Sequence, residues 1–258
     1  MLFKPQTMKI LFVTHVSDDW YETVGASKLV ASAKYFHPEI PFYVFGTKEI
    51  EELFKIHPNV NWNTLQPFTT IHGLNEFDMV VHFDADSMIV GKLDELLSED
   101  NLNYDVIGVR NNNDFGKAGK DGAITHENIP INNYLNAGLV GCTSKEFLQQ
   151  WCNYNISFGN SQPFQEQTVL NHMCSSLDYK VKILDPIESN VHYGISGLFG
   201  TETHWDSWKE ISLNENKELI LRNKTVKVLH HAGGHQKNKL DFNMFSNEVK
   251  NRLNEIIY

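Results

Sequence analysis

Short apolar runs alternate with longer amphipathic stretches along the chain. "KILFVTHV" (9–16), "IPFYVFG" (40–46) and "DMVVHF" (78–83) are apolar at successive positions. That is the pattern of strands covered on both faces. Between the first two, "ETVGASKLVASAKYF" (22–36) sets Val24, Lys28, Ala31 and Tyr35 along a helix, with Leu29 and Ala33 beside them. "TKEIEELFKI" (47–56) predicts a second helix, with Thr47 as its N-cap. "GKLDELL" (91–97) predicts a short helical segment and "DVIGVR" (105–110) a strand. "YLNAGLVGC" (134–142) predicts another strand, followed by helices in "SKEFLQQWCNY" (144–154) and "FQEQTVLNHMC" (164–174). "KVKIL" (180–184) and "VKVLHH" (226–231) are late strands. Phe245, Val249, Leu253 and Ile256 mark one face of a C-terminal helix. Strands alternating with helices predict an α/β fold, a parallel sheet covered by helices.

The 258 residues suit one large domain, and 41% hydrophobic content is enough for a full core. The segment 111–132, "NNNDFGKAGKDGAITHENIPIN", is polar, Gly-containing and aperiodic. Loops of that length inside a domain are commonly lids or binding loops. No repeat, low-complexity tract or linker is visible.

Lys plus Arg total 22 against 32 for Asp plus Glu, a formal charge of -10. That excludes a general nucleic-acid binder, which would be basic. A phosphate ligand remains compatible, given a metal or a few local donors. Three cysteines, Cys142, Cys152 and Cys174, have no metal-type spacing. They point to a reducing compartment rather than a disulfide framework. The N-terminal apolar run is broken by His15 and lacks the length of a signal peptide or membrane span. The expectation is a cytoplasmic protein with no transmembrane segment. Sequons at Asn155 and Asn223 then have no secretory context.

The third strand ends on two carboxylates, Asp84 and Asp86. In an open parallel sheet, ligands bind at the carboxyl ends of strands. An extended Asp-x-Asp points both side chains to one side. Two carboxylates so placed repel unless they share a divalent cation. A solvated turn holding two acids is the competing reading. The late segment "VKVLHHAGGHQKNK" (226–239) adds His230, His231, His235, two glycines and two lysines just after a buried strand. An imidazole there can complete a metal site begun by carboxylates. Gly233 and Gly234 let backbone approach a ligand, and Lys237 can meet a phosphate as a point charge.

"FDADSMIVGKLDELL" resembles the metal-binding segment of the family 8 glycosyltransferases, the group that includes glycogenin. "HAGGHQK" (231–237) matches that family's His-x-x-Gly-x-x-Lys pattern. "SDDWYETVGA", "LNAGLVG" and "FQEQTVLN" resemble its nucleotide-binding, mid-chain and Asp-Gln-x-x-Leu-Asn segments. The motifs occur in family order from about Lys9 to Lys237. The resemblance implies a GT-A fold, one Rossmann-like domain with a mostly parallel mixed sheet flanked by helices, together with a UDP-sugar donor and retention of anomeric configuration. It implies Mn2+, with Mg2+ as the alternative, held by Asp84, Asp86 and His231. Gly234 and Lys237 then lie at the diphosphate, Thr14, Asp19 and Tyr21 at the uridine, and Asn136, Glu166 and Gln167 near the reacting sugar. Residues 8–110 would form the nucleotide-binding half, 111–240 the acceptor and sugar half, and 241–258 a terminal helix.

The sequence departs from the family at Glu166, where Asp is usual, and after Lys237, where Asn238-Lys239 replaces Pro-Trp. No Lys or Arg precedes Asp84 at the family's donor-contact spacing; "QPFTTIHGLNEF" offers only His72. His192, Tyr193, Trp205 and Trp208 could line an acceptor cleft for a carbohydrate or a protein- or lipid-linked glycan, or simply pack. Two rival classes stay open. A haloacid-dehalogenase-type Mg2+ phosphatase also places Asp-x-Asp after a buried strand, but near the N-terminus and without the late His-Gly-Lys segment. A non-catalytic carbohydrate-binding protein could keep the fold without the reaction.

Overall fold

The structure is a computed structural model, and it describes residues 8–16, 20–46, 60–64, 76–111, 129, 133–158, 165–192, 207–231 and 242–258. The helix expected at 47–56 lies outside these residues, as does nearly all of the 111–132 loop. The strands in chain order are β1 (Ile10–His15), β2 (Phe42–Gly46), β3 (Val60–Thr64), β4 (Met79–Phe83), β5 (Ser87–Ile89), β6 (Val106–Arg110), β7 (Leu135–Cys142), β8 (Val181–Leu184), β9 (Val191–His192), β10 (Ser212–Leu213), β11 (Leu219–Leu221), β12 (Lys224–Thr225) and β13 (Val228–His230). The helices are α1 (Trp20–Phe36), α2 (Lys145–Phe158), α3 (Gln165–Ser176), α4 (Pro186–Ser189) and α5 (Asn247–Ile257).

A seven-stranded sheet runs in the order β3-β2-β1-β4-β7-β6-β8. The first four of these pair in parallel. β7 is antiparallel to both β4 and β6, and β8 is parallel to β6. The chain moves outward from β1 to β3 and then returns to place β4 on the other side of β1. That reversal is a topological switch point, where the carboxyl ends of two neighbouring strands open apart. The sheet is mostly parallel, as the strand–helix alternation predicts, and β7 makes it mixed, as the GT-A resemblance implies.

Alternation along each central strand divides the core into two layers. Phe12, Met79, Val81 and Phe83 face a layer that includes Ala26, Leu29, Val30 and Ala33 of α1. Leu11, Val13 and Val80 face the opposite layer, with Trp151 of α2 and Leu170 of α3. All five residues of β4 are buried, so its apolar run is fully accounted for. α1 ends where His37 N–H donates to Ala33 at 2.8 Å and Pro38 follows. α5 starts at an N-cap, Ser246, and buries Val249, Leu253 and Ile256.

Two smaller sheets lie beside the main one. β13 pairs antiparallel with β5 and parallel with β9. β10, β11 and β12 form an antiparallel meander. Its β11–β12 turn, Arg222-Asn223, has positive φ at both residues, 51° and 63°, the conformation that matches hairpin twist. Among the described residues no helix is long and apolar enough to cross a membrane.

The segment 91–97 is not the expected helix. It makes a single turn, closed by Leu97 N–H to Leu93 at 2.9 Å. The Asn101 amide then caps the Glu95 and Leu96 carbonyls at 2.8 and 2.7 Å, which ends the coil.

Candidate active site

The two acids sit where β4 ends at the switch point. They do not continue an extended strand, as the sequence pattern suggested. Asp84 N–H donates to the Gly138 carbonyl at 3.0 Å, and Ser87 N–H closes a turn onto the Asp84 carbonyl at 3.0 Å. The chain then enters β5, whose partner β13 pairs His230 with Ser87. This turn carries both carboxylates to one imidazole: His230 Nε2 lies 3.2 Å from Asp84 Oδ2 and 3.1 Å from Asp86 Oδ1. Among the described residues, Asp84, Asp86 and His230 offer ligand atoms that all lie within 4.8 Å of one another.

The histidine in this cluster is His230, not His231. Neighbouring residues of an extended segment point to opposite sides, so one of the two can face the acids. The β13 register gives that place to His230. His231 is fully buried, and its backbone N–H donates to the Asp86 carbonyl at 3.1 Å. It braces the turn from behind. Burial pulls the His230 pKa down, but the Asp86 and Asp84 carboxylates outweigh it and raise the imidazole to about 10. Without a cation in the site the two carboxylates hold the ring toward its protonated form, and a bound cation would take the place of that proton. Two carboxylates and an imidazole are also a donor set suited to Mn2+ or Mg2+, and the residues present fit such an ion.

Three close packings fix this geometry. β7 is bulged opposite β6: Gly108 pairs with Val140, whereas the next residue, Val109, pairs with Asn136. The bulged residues Ala137 and Gly138 turn toward the acids. A Cβ at Gly138 would lie 2.5 Å from His230 Nδ1 and 2.8 Å from Asn136 Oδ1, so the imidazole rests on bare backbone. His82 Nδ1 meets the Ala137 carbonyl at 3.2 Å as a donor. From the other side, α1 braces the turn. A Cβ at Gly25 would lie 2.5 Å from the Ala85 carbonyl oxygen. A helical glycine costs roughly 1 kcal/mol of propensity, and this approach explains its presence. Further along α1, Ser32 Oγ accepts from Ile89 N–H at 3.0 Å, and His37 Nε2 accepts from Leu93 N–H at 3.2 Å.

Beside the acids lies a lattice of amides. Asn136 Nδ2 donates to Gln167 Oε1 at 3.0 Å and to Asn111 Oδ1 at 3.3 Å. Asn136 Oδ1 accepts from Gly138 N–H at 2.9 Å and from Asn190 Nδ2 at 2.8 Å. Gln167 Oε1 also accepts from Ala137 N–H at 3.1 Å, and Gln167 bonds the Tyr134 side chain. One turn along α3, Asn171 bonds both backbone groups of Leu135, accepting at 2.7 Å and donating at 2.8 Å. Gln167 and Asn171, four residues apart, thereby stitch α3 to the bulged strand.

The other expected site residues divide into two groups. Asn136 and Gln167 lie in the amide lattice, and Glu166 opens α3, where its carbonyl accepts from Trp151 Nε1 at 3.1 Å. Thr14 ends β1 next to β4, fully buried, with its hydroxyl donating to the Phe83 carbonyl at 2.9 Å. Asp19, Gly234 and Lys237 lie outside the described residues, and Tyr21 is described only as part of the α1 backbone. Asn111, Asn190, Gly25 and Gly138 were not anticipated. A groove of about 670 Å3 bordered by Asp78, Tyr104, Ser144 and Lys180 contains none of these residues. It lies at the end of the sheet where β4 and β6 begin, away from the acids.

No protein-family profile and no curated protein sequence matches the chain. Solved structures do. The bifunctional glycosyltransferase WbbM superposes with a TM-score of 0.58 at 18% identity, over 90% of this chain and 47% of that one. The chain therefore spans about half the length of WbbM. The galactosyltransferase LgtC, solved with donor and acceptor sugar analogues, superposes with a TM-score of 0.55 at 16% identity, over 95% of this chain and 94% of that one. An active-site mutant of LgtC gives 0.53 at 14% identity. At these identities the likeness is one of architecture, and the chain has the GT-A fold of these glycosyltransferases.

Proposed function

We propose that this protein is a retaining glycosyltransferase, with residues 1–258 as one transferase domain. It transfers a hexose from a UDP-sugar to a carbohydrate or to a protein- or lipid-linked glycan. The reading rests chiefly on one observation: two carboxylates and an imidazole converge at the switch-point end of β4 in a GT-A fold. Asp84, Asp86 and His230 would hold Mn2+ or Mg2+. When bound, the ion supplies positive charge that stabilises the departing diphosphate.

The remaining roles combine the family resemblance with the geometry of the described residues. Gly234 and Lys237 meet the diphosphate, and Asp19 and Tyr21 the uridine. Thr14 holds the ends of β1 and β4 together beneath it. Gln167 Oε1 already accepts from Asn136 and Ala137, so this oxygen orients the β7 bulge and does not attack the anomeric carbon. Asn136 is likewise part of the floor. Glu166 is then the anionic group that faces the positive charge developing on the sugar.

The test is a panel of UDP-sugars incubated with Mn2+ and no acceptor, read as UDP release. Slow metal-dependent hydrolysis of one or more donors is expected, abolished by EDTA. Turnover of aryl phosphates with no turnover of any UDP-sugar would replace this reading with a phosphatase. Sugar binding without turnover of either would replace it with a binding protein.

A further inference from the structure

The donor set sits where two sheets meet. Asp84 follows β4 of the main sheet, whereas Asp86 precedes β5 of the small one, whose partner β13 ends on His230. The β5–β13 ladder sets the imidazole against Asp86, and a further contact must fix the small sheet against the end of β4 and the β7 bulge. We propose that Asn190 is a positioning residue that clamps the two sheets together around the Asp84–Asp86–His230 cluster.

Asn190 is 1% exposed and directly precedes Val191, the first residue of β9. β9 pairs with β13, Val191 opposite Leu229 and His192 opposite His230. The Asn190 backbone is therefore tied to the strand that carries the imidazole. Its side chain reaches the other way, and Nδ2 donates to Asn136 Oδ1 on β7 at 2.8 Å. That same oxygen accepts from Gly138 N–H at 2.9 Å. Gly138 touches both halves of the cluster: its carbonyl accepts from Asp84 N–H at 3.0 Å, and the His230 ring lies against its Cα. One amide thus links the β9 end of the small sheet to the residue on which both donor types rest.

Asn136 cannot hold this position alone. Its two amide hydrogens and both acceptor sites are engaged, with Asn190 supplying one of the four bonds. Removing the Asn190 donor leaves a buried carbonyl oxygen with one partner of its two and unties the small sheet from Asn136. Gly138 then loses its fixed reference, and the imidazole shifts with it. Groups bonded directly to a metal ligand change metal affinity by about 10–100-fold, and the same scale applies where Asn190 shifts the imidazole through Asn136 and Gly138.

The proposal rests on the metal-binding reading above, and the experiment separates the two. Asn190→Ala and Asn190→Asp are compared with Asp185→Ala. Asp185 caps α4, five residues earlier, and bonds Lys224 at 2.6 Å without touching Asn136. The first readout is the His230 imidazole resonances in the metal-free protein by NMR. The second is the Mn2+ dissociation constant by calorimetry. Both Asn190 variants should shift the His230 resonances and weaken Mn2+ about 10–100-fold. Asp185→Ala should do neither, even though it lowers stability. Unmoved His230 resonances in the Asn190 variants, or an equal shift in Asp185→Ala, would overturn the clamp. Asn190→Asp is nearly isosteric and keeps the test available if the alanine variant does not fold. A wild-type protein that binds no Mn2+ would defeat the functional reading, while the metal-free resonances still decide the clamp.

Discussion

Gly138→Ala offers the sharpest test of how the imidazole is seated. The added Cβ would stand 2.5 Å from His230 Nδ1, where ordinary contact begins near 3.4 Å. The difference, 3.4 minus 2.5, together with a still closer approach to the ring's Cε1, requires the ring to withdraw by more than about 0.9 Å. The Asn136 amide, at 2.8 Å from the same Cβ, blocks escape on that side. His230 would move away from carboxylates it now meets at 3.1 and 3.2 Å. Overpacking of this kind costs roughly 1–3 kcal/mol. At about 2–4 °C per kcal/mol for a chain of this size, the melting temperature should fall by roughly 2–12 °C. The variant should also bind Mn2+ about 10–100-fold more weakly, because a ligand has lost its seat. The same strand supplies the control. A Cβ at Gly141 meets Leu96 Cδ1 at 3.4 Å and Ile107 Cβ at 3.5 Å, so Gly141→Ala should be nearly neutral. Differential scanning fluorimetry and calorimetry read the two effects separately. Equal behaviour of the two variants in both assays would show that Gly138 does not position His230.

Three further outcomes are expected. Asp84→Asn and Asp86→Asn should each abolish metal-dependent UDP release while leaving the far-UV circular dichroism spectrum unchanged, because asparagine keeps the side-chain shape and neither acid belongs to the apolar core; near-normal release from either variant would remove it from the ligand set. UDP at a hundred times its dissociation constant should stabilise the fold by about 2.7 kcal/mol, a rise of roughly 5–11 °C, with Mn2+ present and not in EDTA; an equal rise in EDTA would place the nucleotide elsewhere. Stability should also fall in mild acid through His37, which burial holds below its usual pKa against the opposing pull of Glu39 and Asp94. The neutral ring accepts from Leu93 N–H, so protonation favours the unfolded chain: stability is complete above the unfolded pKa of about 6.5 and is lost as pH falls toward the lower folded value. Urea midpoints between pH 8 and 5 should decline less steeply in His37→Gln, which keeps an acceptor but cannot titrate; an unchanged slope would assign the acid sensitivity to other groups.

The parts of this fold visible in the sequence are those with a strong local signal. β1, β2 and β4 are apolar at successive positions because both of their faces are covered, and each was expected where it is found. α5 carries its buried positions at the expected helical spacing; α1 lies where it was expected, but it buries Ala26, Leu29, Val30 and Ala33, whereas Tyr35 is exposed. β9, β10 and β12 have two residues each, too few for any period to show. The antiparallel direction of β7 was also hidden, since a strand buried on both faces reads the same in either direction. The site followed the same division. Asp84 and Asp86 stood out because two acids ending a buried run are unusual. Asn111 and Asn190 are ordinary loop amides in sequence. Their value comes from meeting Asn136 across separations of 25 and 54 residues.

The choice between His230 and His231 shows what spacing alone leaves undecided. The His-x-x-Gly-x-x-Lys pattern begins at His231, so motif matching selects it. Motif spacing counts residues along the chain, but a ligand is chosen by the side of the strand it faces. Strand pairing settles that: Val228 pairs with Ile89 and His230 with Ser87, which brings His230 over the turn holding the acids. The next residue must turn its side chain away, and His231 fills a fully buried position instead. A one-residue slip of β13 on β5 would exchange the two histidines. The slip is opposed on both strands at once. Val228 packs in the α1 layer of the main core, whereas Leu229 and Met88 pack in the α5 core. Exchanging the imidazoles would therefore expose each core to the other's residues. The apolar residues flanking the site decide which imidazole faces the acids.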